Sequence, residues 1–580
     1  MRTLSTDVLV VGAGPCGLTA ANLLAKYGVR ALTISRYRGT AHTPRAHITN
    51  IRTMEVFRDL GIEEEIAKVS QPLSYLSNFV IGTTLSGMEI ARYKAYGSGA
   101  ERLSDYAAAS PSVPLNTPQH YMEPVLLGAA EKNGAEVQFY QELIALEQSN
   151  SEVISTIRDR RTGEEYQIHS RYVIGADGGR STVASELGIE FKGEAGLIPM
   201  VNLWLDVDLT KYTAYRPAVL YQTMRPGNGD WSGSGTWLCV NPWDDWVFVS
   251  VGSGDIGEEA LVERARATIG DPDIAIKVKN IAPWQVNHLY ATEYRRGRVF
   301  LAGDAAHRHP PAGGLGTNTS VQDAYNLACK LALTLSGKAS ERLLDSYHDE
   351  RQPVGKFVVE RAMKSLYNVA PLTQAIGLTA DQTEEQGWSA LRSLFSDEPG
   401  QEERRDALAA AVKLQDYRSN ALGVELGQRY QSSAVVDDGS AFPQPVRDEE
   451  LFYQPTTHPG ANIPHAWVEH ERKLISTLDV AGHGRFCLIT GIGGGQWKAA
   501  AEAVAGQLGI DLPVVAIDYR CDHDDVLGSW RSIREIDADG AILVRPDRFV
   551  AWRSKTMPAD PAADLLQVME QVLSRTVQEA

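Results

Sequence analysis

The stretch DVLVVGAGPCG, Asp7–Gly17, decides how the N-terminal part of the chain folds. Asp7 to Val11 is a short apolar run, and Gly12, Gly14 and Gly17 follow it in G-x-G-x-x-G spacing. Leu18, Ala21 and Ala25 repeat at helical spacing, Gly28 is placed to end the helix, and RALTIS (30–35) reads as a second strand. Strand, glycine turn, helix and strand within about thirty residues make a βαβ unit of the dinucleotide-binding kind. The glycines let the backbone approach a pyrophosphate, whose charge lies at the positive end of the helix. The fingerprint does not distinguish NAD from FAD. An acidic residue is expected after the second strand to grip the ribose; Ser35 and Arg36 stand there instead, so the adenosine end is held differently.

The chain has 580 residues, enough for about three or four domain-sized units. Its 56 basic and 73 acidic residues give a net charge of −17, which argues against a nucleic-acid backbone or an anionic membrane as partner. No window is long and apolar enough to span a membrane, and the N-terminus runs into a strand without a signal peptide. The five cysteines are scattered, with no C-x-x-C pair, so neither a zinc ribbon nor a disulfide framework is expected. A reducing, cytoplasmic setting follows as the expectation. The His, Cys and carboxylate spacings suggest no metal site.

A second glycine-rich motif lies nearly 300 residues on, in GRVFLAGDAAHRHPPAGGLGTN (297–318). Val299 to Ala302 reads as a strand, Gly303 and Asp304 follow, and a Pro/Gly-rich loop leads into a helix with Val321, Ala324, Ala328 and Leu331 on its buried face. Thr319 or Ser320 is the expected N-cap. Free backbone N–H groups near Gly316 to Asn318 would favour a negatively charged ring, as a reduced flavin is. Asp304 is placed to accept hydrogen bonds from a polyol chain. The same residues could also make a buried structural loop and a capped helix.

The N-terminal glycines, GADGGRS (175–181) and GDAAHRHPPAGGLGTN (303–318) together resemble the single-component flavin-dependent aromatic hydroxylases. That group contains p-hydroxybenzoate hydroxylase and phenol hydroxylase. TPRAHITN (43–50), RTMEVFRDLGIE (52–63) and YMEP (121–124) resemble its bacterial phenol monooxygenases, and the likeness runs along essentially the whole chain. It implies an α/β chain: a Rossmann-like FAD-binding fold of the p-hydroxybenzoate hydroxylase type, an inserted mostly β substrate domain and a C-terminal thioredoxin-like domain. The expected FAD-binding parts are 1–70, 115–185 and 290–340, and the substrate domain 71–114 and 186–289. A helical region is expected over 341–440 and the thioredoxin-like domain over 446–580. By the same resemblance, Gly12, Ala13, Gly14, Pro15, Cys16 and Gly17 would hold the FAD pyrophosphate, with Ser35 and Arg36 near the ribose. Arg45 and Gln119 would also touch the cofactor. Asp177 would couple FAD to use of NADPH or NADH, Gly303 and Asp304 would hold the ribityl chain, and Pro311, Gly316, Thr317 and Asn318 would border the isoalloxazine. Ala184 stands where an arginine often ends the second motif, which leaves the pyridine-nucleotide contacts open.

Between the motifs, 200–209, 236–243 and 246–252 carry strand patterns. Tyr221, Trp231, Trp237, Trp243 and Trp246 crowd this region; strand aromatics are usually core, and a minority would face a ligand. Tyr221, Trp231, Asn241 and Tyr290 are the substrate-side candidates. The resemblance implies hydride transfer from NAD(P)H to FAD, a flavin C4a-hydroperoxide, and hydroxylation of a phenol ortho or para to its hydroxyl, with ortho favoured. A phenol of pKa about 10 is ionised to about one part in a thousand at pH 7, a deficit of about 4 kcal/mol that a positioned base can reduce. His47 is the expected base. It precedes a helix with Ile51, Met54 and Phe57 on its apolar face and Thr49 or Asn50 as cap, and an unperturbed imidazole titrates near 6.5. A lone loop histidine is otherwise more often a surface or packing residue, and His307 and His309 read as structural.

Residues 335–430 read as helical and 435–450, VVDDGSAFPQPVRDEE, as a linker. RFCLITGIGGG, PVVAIDYR and GAILVRPDRFVAWR are strand-like segments of the tail; without C-x-x-C, packing or dimerisation is the expected role. The expected partners are a small phenolic compound and O2, with the chain as a homodimer or higher homo-oligomer. Hydroxylation of a larger polycyclic aromatic is the alternative. A pyridine-nucleotide dehydrogenase would leave the second motif idle, and a flavin-binding protein without catalysis would leave His47 idle.

Overall fold

The computed structural model describes residues 2–227, 234–379 and 381–575. The apolar run of the glycine motif becomes the strand Thr3–Val11 at the centre of a mostly parallel sheet. Ala31–Ser35 lies on one side of it, and Glu165–Gly175 and then Val299–Leu301 on the other, all parallel to it. Val8, Leu9 and Val10 are 0% exposed, because helices cover both faces of this sheet. Each such side chain contributes about 1.5–3 kcal/mol by leaving water. Helix Pro15–Lys26 packs on the long helix Gly316–Leu335.

Chain order reverses at Thr3–Val11, which makes its carboxyl end the switch point where a ligand crevice opens in such sheets. Parallel register puts Val11, Ile34, Gly175 and Leu301 level with one another. The segments that leave those four strand ends are Gly12–Gly17, Ser35–Arg36, Ala176–Asp177 and Ala302–Asp304. Sheet geometry therefore gathers four motifs that are scattered over 300 residues of chain.

A second, mostly antiparallel sheet of eight strands draws its strands from 78–94, 191–291 and 307–308. Its long strands Phe191–Asp206 and Lys277–Ala291 pair along their length. Helices Asp345–Tyr367, Ala370–Ile376, Glu384–Leu394 and Gln401–Leu414 follow. Residues 435–450 form no helix or strand, but Asp438 is anchored by Arg553 Nε at 2.6 Å.

The tail forms a seven-stranded sheet in which Cys487–Thr490 and Val514–Asp518 are parallel and joined by helix Gln496–Leu508. Ala541–Val544, Val550–Ser554 and helix Pro561–Val572 complete a thioredoxin-like layer. Cys487 is buried in its strand and its thiol is pushed up to about 12 by desolvation, so it does not offer a thiolate. GAILVRPDRFVAWR, which reads as one strand-like segment, is in fact two antiparallel strands joined by a turn at Arg545–Arg548. No helix among the described residues is long and apolar enough to cross a membrane.

Candidate active site

The three fingerprint glycines do different work. A Cβ on Gly12 would lie 2.1 Å from the Ala176 carbonyl oxygen, and one on Gly17 would lie 1.8 Å from that of Gly12. These two close the turn against neighbouring backbone. Gly14 is open by contrast, with only Glu123 Oε1 within 4 Å, at 3.9 Å. Gly14 is thus where a phosphate can approach the amides that precede helix Pro15–Lys26. Gly303, with φ +62°, packs against Cys16 and Ser320, so the second glycine motif touches the first.

Asp304 is exposed beyond the carboxyl end of Val299–Leu301, yet the surrounding protein desolvates its carboxyl and raises its pKa, opposed by His307, Arg45 and Arg308. Such a group is satisfied when hydroxyls donate to it. Ser35 is buried beside half-buried Arg36, and its hydroxyl accepts from the Tyr37 amide. Asp177 accepts from the Ser181 hydroxyl at 2.5 Å and from the Thr182 and Val183 amides, so its carboxylate caps the short helix Thr182–Glu186. That is a structural duty the sequence did not reveal.

Helix Gly316–Leu335 begins one turn earlier than the Thr319 or Ser320 cap expected from sequence. Both hydroxyls instead donate back along the helix, to the carbonyls of Leu315 and Gly316. The first intrahelical amide is Thr319, which bonds Leu315 O at 2.8 Å, so the amides of Gly316, Thr317 and Asn318 lack helical partners. Pro311 is exposed at the mouth of this loop. Beside it His309 donates Nδ1–H to Pro310 O at 2.7 Å, which leaves a buried, unpartnered Nε2 near Gly316. His307, fully buried, bonds Asp323 at 2.8 Å and is structural, as its sequence context suggests.

TPRAHITN has no strand pattern, but Ile48–Thr49 pairs as a short strand with Leu115–Asn116. The segment is pinned on every side. Thr117 N–H donates to His47 O, and Gln119 N–H donates to Ala46 O. Asn50 caps the helix Ile51–Leu60 by accepting from Thr53 N–H, and its own N–H donates to Asn318 Oδ1 at 3.0 Å. Asn318 Nδ2 returns a bond to Ile48 O at 2.9 Å. Arg45 is exposed, and the side chain of Gln119 donates to Glu123 at 2.6 Å.

His47 Nδ1 lies 2.8 Å from Asn116 Oδ1. Asn116 Nδ2 donates to the Cys239 carbonyl at 3.0 Å, so its oxygen must face the imidazole. The proton is therefore on Nδ1, and Nε2 keeps its lone pair. Burial lowers the His47 pKa to about 4, against a partial opposing effect of Asn116, so the ring is neutral through the physiological range rather than titrating near 6.5. Asn116 lies in a two-residue strand too short to show a period, and no signal in the sequence marks it.

The substrate-side candidates fare unevenly. Tyr221 is a core residue: it is 1% exposed, its hydroxyl bonds Arg216 O and the Ala218 amide, and its ring meets Trp246. Trp237 and Trp246 are equally buried, which is the common fate of strand aromatics. Asn241 is exposed, and its Oδ1 lies 3.5 Å from Gln71 Nε2. Tyr290 is half-buried, in register with Lys192 and His307. Trp231 lies outside the described residues.

Residues 5–362 match the family model described as FAD binding domain, and 456–576 match aromatic-ring hydroxylase, C-terminal. The chain belongs to the FAD-dependent aromatic-ring hydroxylases. The 2,4-dichlorophenol 6-monooxygenase of Cupriavidus pinatubonensis is 43% identical, over 99% of this chain and 97% of that one. The flavin-dependent monooxygenase PieE, solved with FAD and substrate, has a TM-score of 0.96 at 43% identity, over 99% of this chain and 100% of its own. Aklavinone-11 hydroxylase, solved with FAD and aklavinone, has 0.80 at 30% identity, over 99% and 100%.

This hydroxylase is an FAD-dependent monooxygenase that draws its electrons from NAD(P)H. The open Gly14, the unpaired amides of Gly316–Asn318 and the desolvated Asp304 fit that cofactor. Among the described residues Asp437, Asp438 and His458 are close enough to share a cation, but Asp438 is already paired with Arg553. Removing the Asn116 carbonyl tests the imidazole geometry. Asn116→Leu is expected to leave FAD bound and to slow hydroxylation about 10- to 100-fold, because a buried Nδ1–H loses its acceptor and the ring its orientation. Rapid-mix turnover with quantified product measures it, and wild-type turnover would refute the geometry.

Proposed function

We propose that this hydroxylase adds one oxygen atom of O2 to a small phenol, at the carbon ortho to its hydroxyl, with His47 as the proton acceptor. The observation that carries the reading is the His47–Asn116–Cys239 chain, which holds a neutral imidazole lone pair beside the segment bearing Asn318. Identity to a 2,4-dichlorophenol 6-monooxygenase over nearly the full length supports the substrate class. The polycyclic alternative rests on more distant relatives such as aklavinone-11 hydroxylase.

FAD, when bound, supplies the reduced ring that activates oxygen. Gly12, Ala13, Gly14, Pro15, Cys16 and Gly17 would hold its pyrophosphate, Ser35 and Arg36 would lie at the ribose, and Arg45 of the His47 segment and Gln119 of helix Gln119–Lys132 would also contact it. Gly303 and Asp304 would take the ribityl hydroxyls, and the Gly316–Asn318 amides beside Pro311 would favour negative charge on the ring. Asp177 holds the turn into Thr182–Glu186 in shape and would couple FAD to use of NAD(P)H. Asn241 and Tyr290 remain the substrate-side contacts. A base held near 4 does not strip a phenol of pKa about 10 in the ground state, since the gap of about six units is worth ~8 kcal/mol. His47 Nε2 instead accepts the phenol's hydrogen bond, and the proton moves as the ring carbon forms its bond to oxygen.

The test is product analysis of the FAD-loaded protein with NAD(P)H and either 2,4-dichlorophenol or a tricyclic phenol. A catechol formed in proportion to NAD(P)H from the small phenol is expected. Product from the tricyclic substrate alone would overturn the reading.

A further inference from the structure

The turn Arg545–Arg548, sequence RPDR, joins two strands of the C-terminal layer, where a connection ordinarily faces water. Instead Arg545, Asp547 and Arg548 are all buried, at 3%, 1% and 0% exposure. Arg545 grips both oxygens of Glu350, at 2.6 and 2.9 Å, and Asp547 as well. Asn326 and Lys330 of helix Gly316–Leu335 bond the same Glu350, and Asn326 also reaches Asp547 at 3.1 Å. Arg548 donates to Glu55 O at 2.8 Å and to Asp59 at 3.3 Å, both on helix Ile51–Leu60. Arg52 of that helix donates to Asp547 O, and Tyr325 OH joins Asp59 to the Gly316–Leu335 helix at 2.9 Å. Arg548 adopts φ +67°, a conformation rare outside glycine, and its guanidinium is tied on both sides.

Buried ion pairs are weak evidence for stability, since apolar residues of like size would serve as well. What they supply is direction, because each paired group bonds only in a narrow geometry. The two clamped helices have their front ends at the active site. Ile51–Leu60 runs back from Asp59 to Asn50 and His47, and Gly316–Leu335 runs back from Asn326 to Gly316–Asn318. Those front ends are joined by the Asn50–Asn318–Ile48 bonds. Ten helical residues span about 15 Å, so a tilt of about 4° at the clamp moves the front by about 1 Å.

We propose that the Arg545–Arg548 turn is a positioning element of the hydroxylation reaction: it sets the helix behind His47 relative to the helix that presents Gly316–Asn318. This gives the C-terminal layer an enzymatic role that does not use redox chemistry. The proposal rests on the proposed function for its activity readout only.

The test uses the full-length FAD-loaded protein with Arg548→Gln and Arg548→Lys. The expected result is retained FAD absorbance, with product per NAD(P)H oxidised falling about tenfold in Arg548→Gln, less in Arg548→Lys, and the balance appearing as hydrogen peroxide. Amide exchange is expected to rise at residues 46–50 as well as at the turn. Wild-type product yield and wild-type exchange at 46–50 in both variants would overturn the proposal. Should the variants not fold, native-state exchange of the wild type under mild denaturant decides it. Residues 48–60 and 545–548 opening together supports the proposal, and 48–60 opening first overturns it. If wild type makes product from the tricyclic phenol alone, the proposed function fails, while the exchange data still judge the clamp.

Discussion

Gly12→Ala is expected to cost the protein its FAD. The added methyl group would lie 2.1 Å from the Ala176 carbonyl oxygen and 2.5 Å from its carbon, and φ at this residue is +115°, closed to ordinary side chains. Both obstructing atoms are backbone at the carboxyl end of the neighbouring parallel strand, so no rotamer change relieves the overlap. Either the turn moves or the strands separate, at about 3–5 kcal/mol, and FAD affinity falls about 100- to 1,000-fold. Fluorescence titration of the apoprotein with FAD, beside a thermal melt, measures both effects. Gly14→Ala is the control, since its methyl group meets nothing nearer than Glu123 Oε1 at 3.9 Å. That variant should melt like wild type, and any lost affinity reports the space facing the ligand. A Gly12→Ala protein that binds FAD as tightly as wild type would refute the account of the turn.

His47→Ala is expected to keep FAD and to slow hydroxylation about 100-fold at pH 7. Its pH profile is the sharper test. Burial holds the His47 pKa near 4, so the wild-type imidazole is already unprotonated above that value and gains nothing as pH rises from 6 to 8. It loses its lone pair only as pH falls through about 4. The variant must draw phenolate from solution, whose fraction grows about tenfold per pH unit below a pKa of about 10. The difference between the two enzymes should therefore shrink steadily from pH 7 to pH 9. Single-turnover product formation across that range measures it; a constant ratio would remove His47 from proton transfer. Acid also acts on stability through this group. The unfolded imidazole binds a proton near 6.5 and the folded one only near 4, so the unfolded state binds more protons between these values and His47's contribution is lost as pH falls through that window.

The glycine fingerprint, the second motif at Gly303–Asp304 and the strand patterns of the inserted sheet were legible in the sequence because local spacing carries them. The strand Thr3–Val11 and the helix behind it follow from apolar period and turn residues, and the C-terminal thioredoxin-like layer from the family resemblance. Tyr221 was misleading for a physical reason: alternation places a strand aromatic on a face without saying whether that face meets a ligand or another sheet. Thr319 and Ser320 look like helix caps, yet glycine and backbone amides one turn earlier start the helix and leave those hydroxyls to bond inward.

By itself the sequence determined the architecture through local spacing, and the cofactor class through two glycine motifs nearly 300 residues apart taken together with the family resemblance. Only the tertiary structure decided which tautomer His47 adopts, because Asn116 and Cys239 reach it from 69 residues away and from a second sheet. It also decided the His47 pKa, which follows from burial rather than from neighbours in the chain. The RPDR turn shows the same limit. In the sequence it reads as part of one strand-like segment, and it becomes a clamp only where Glu350, Asp59 and Asn326 converge on it from three other helices.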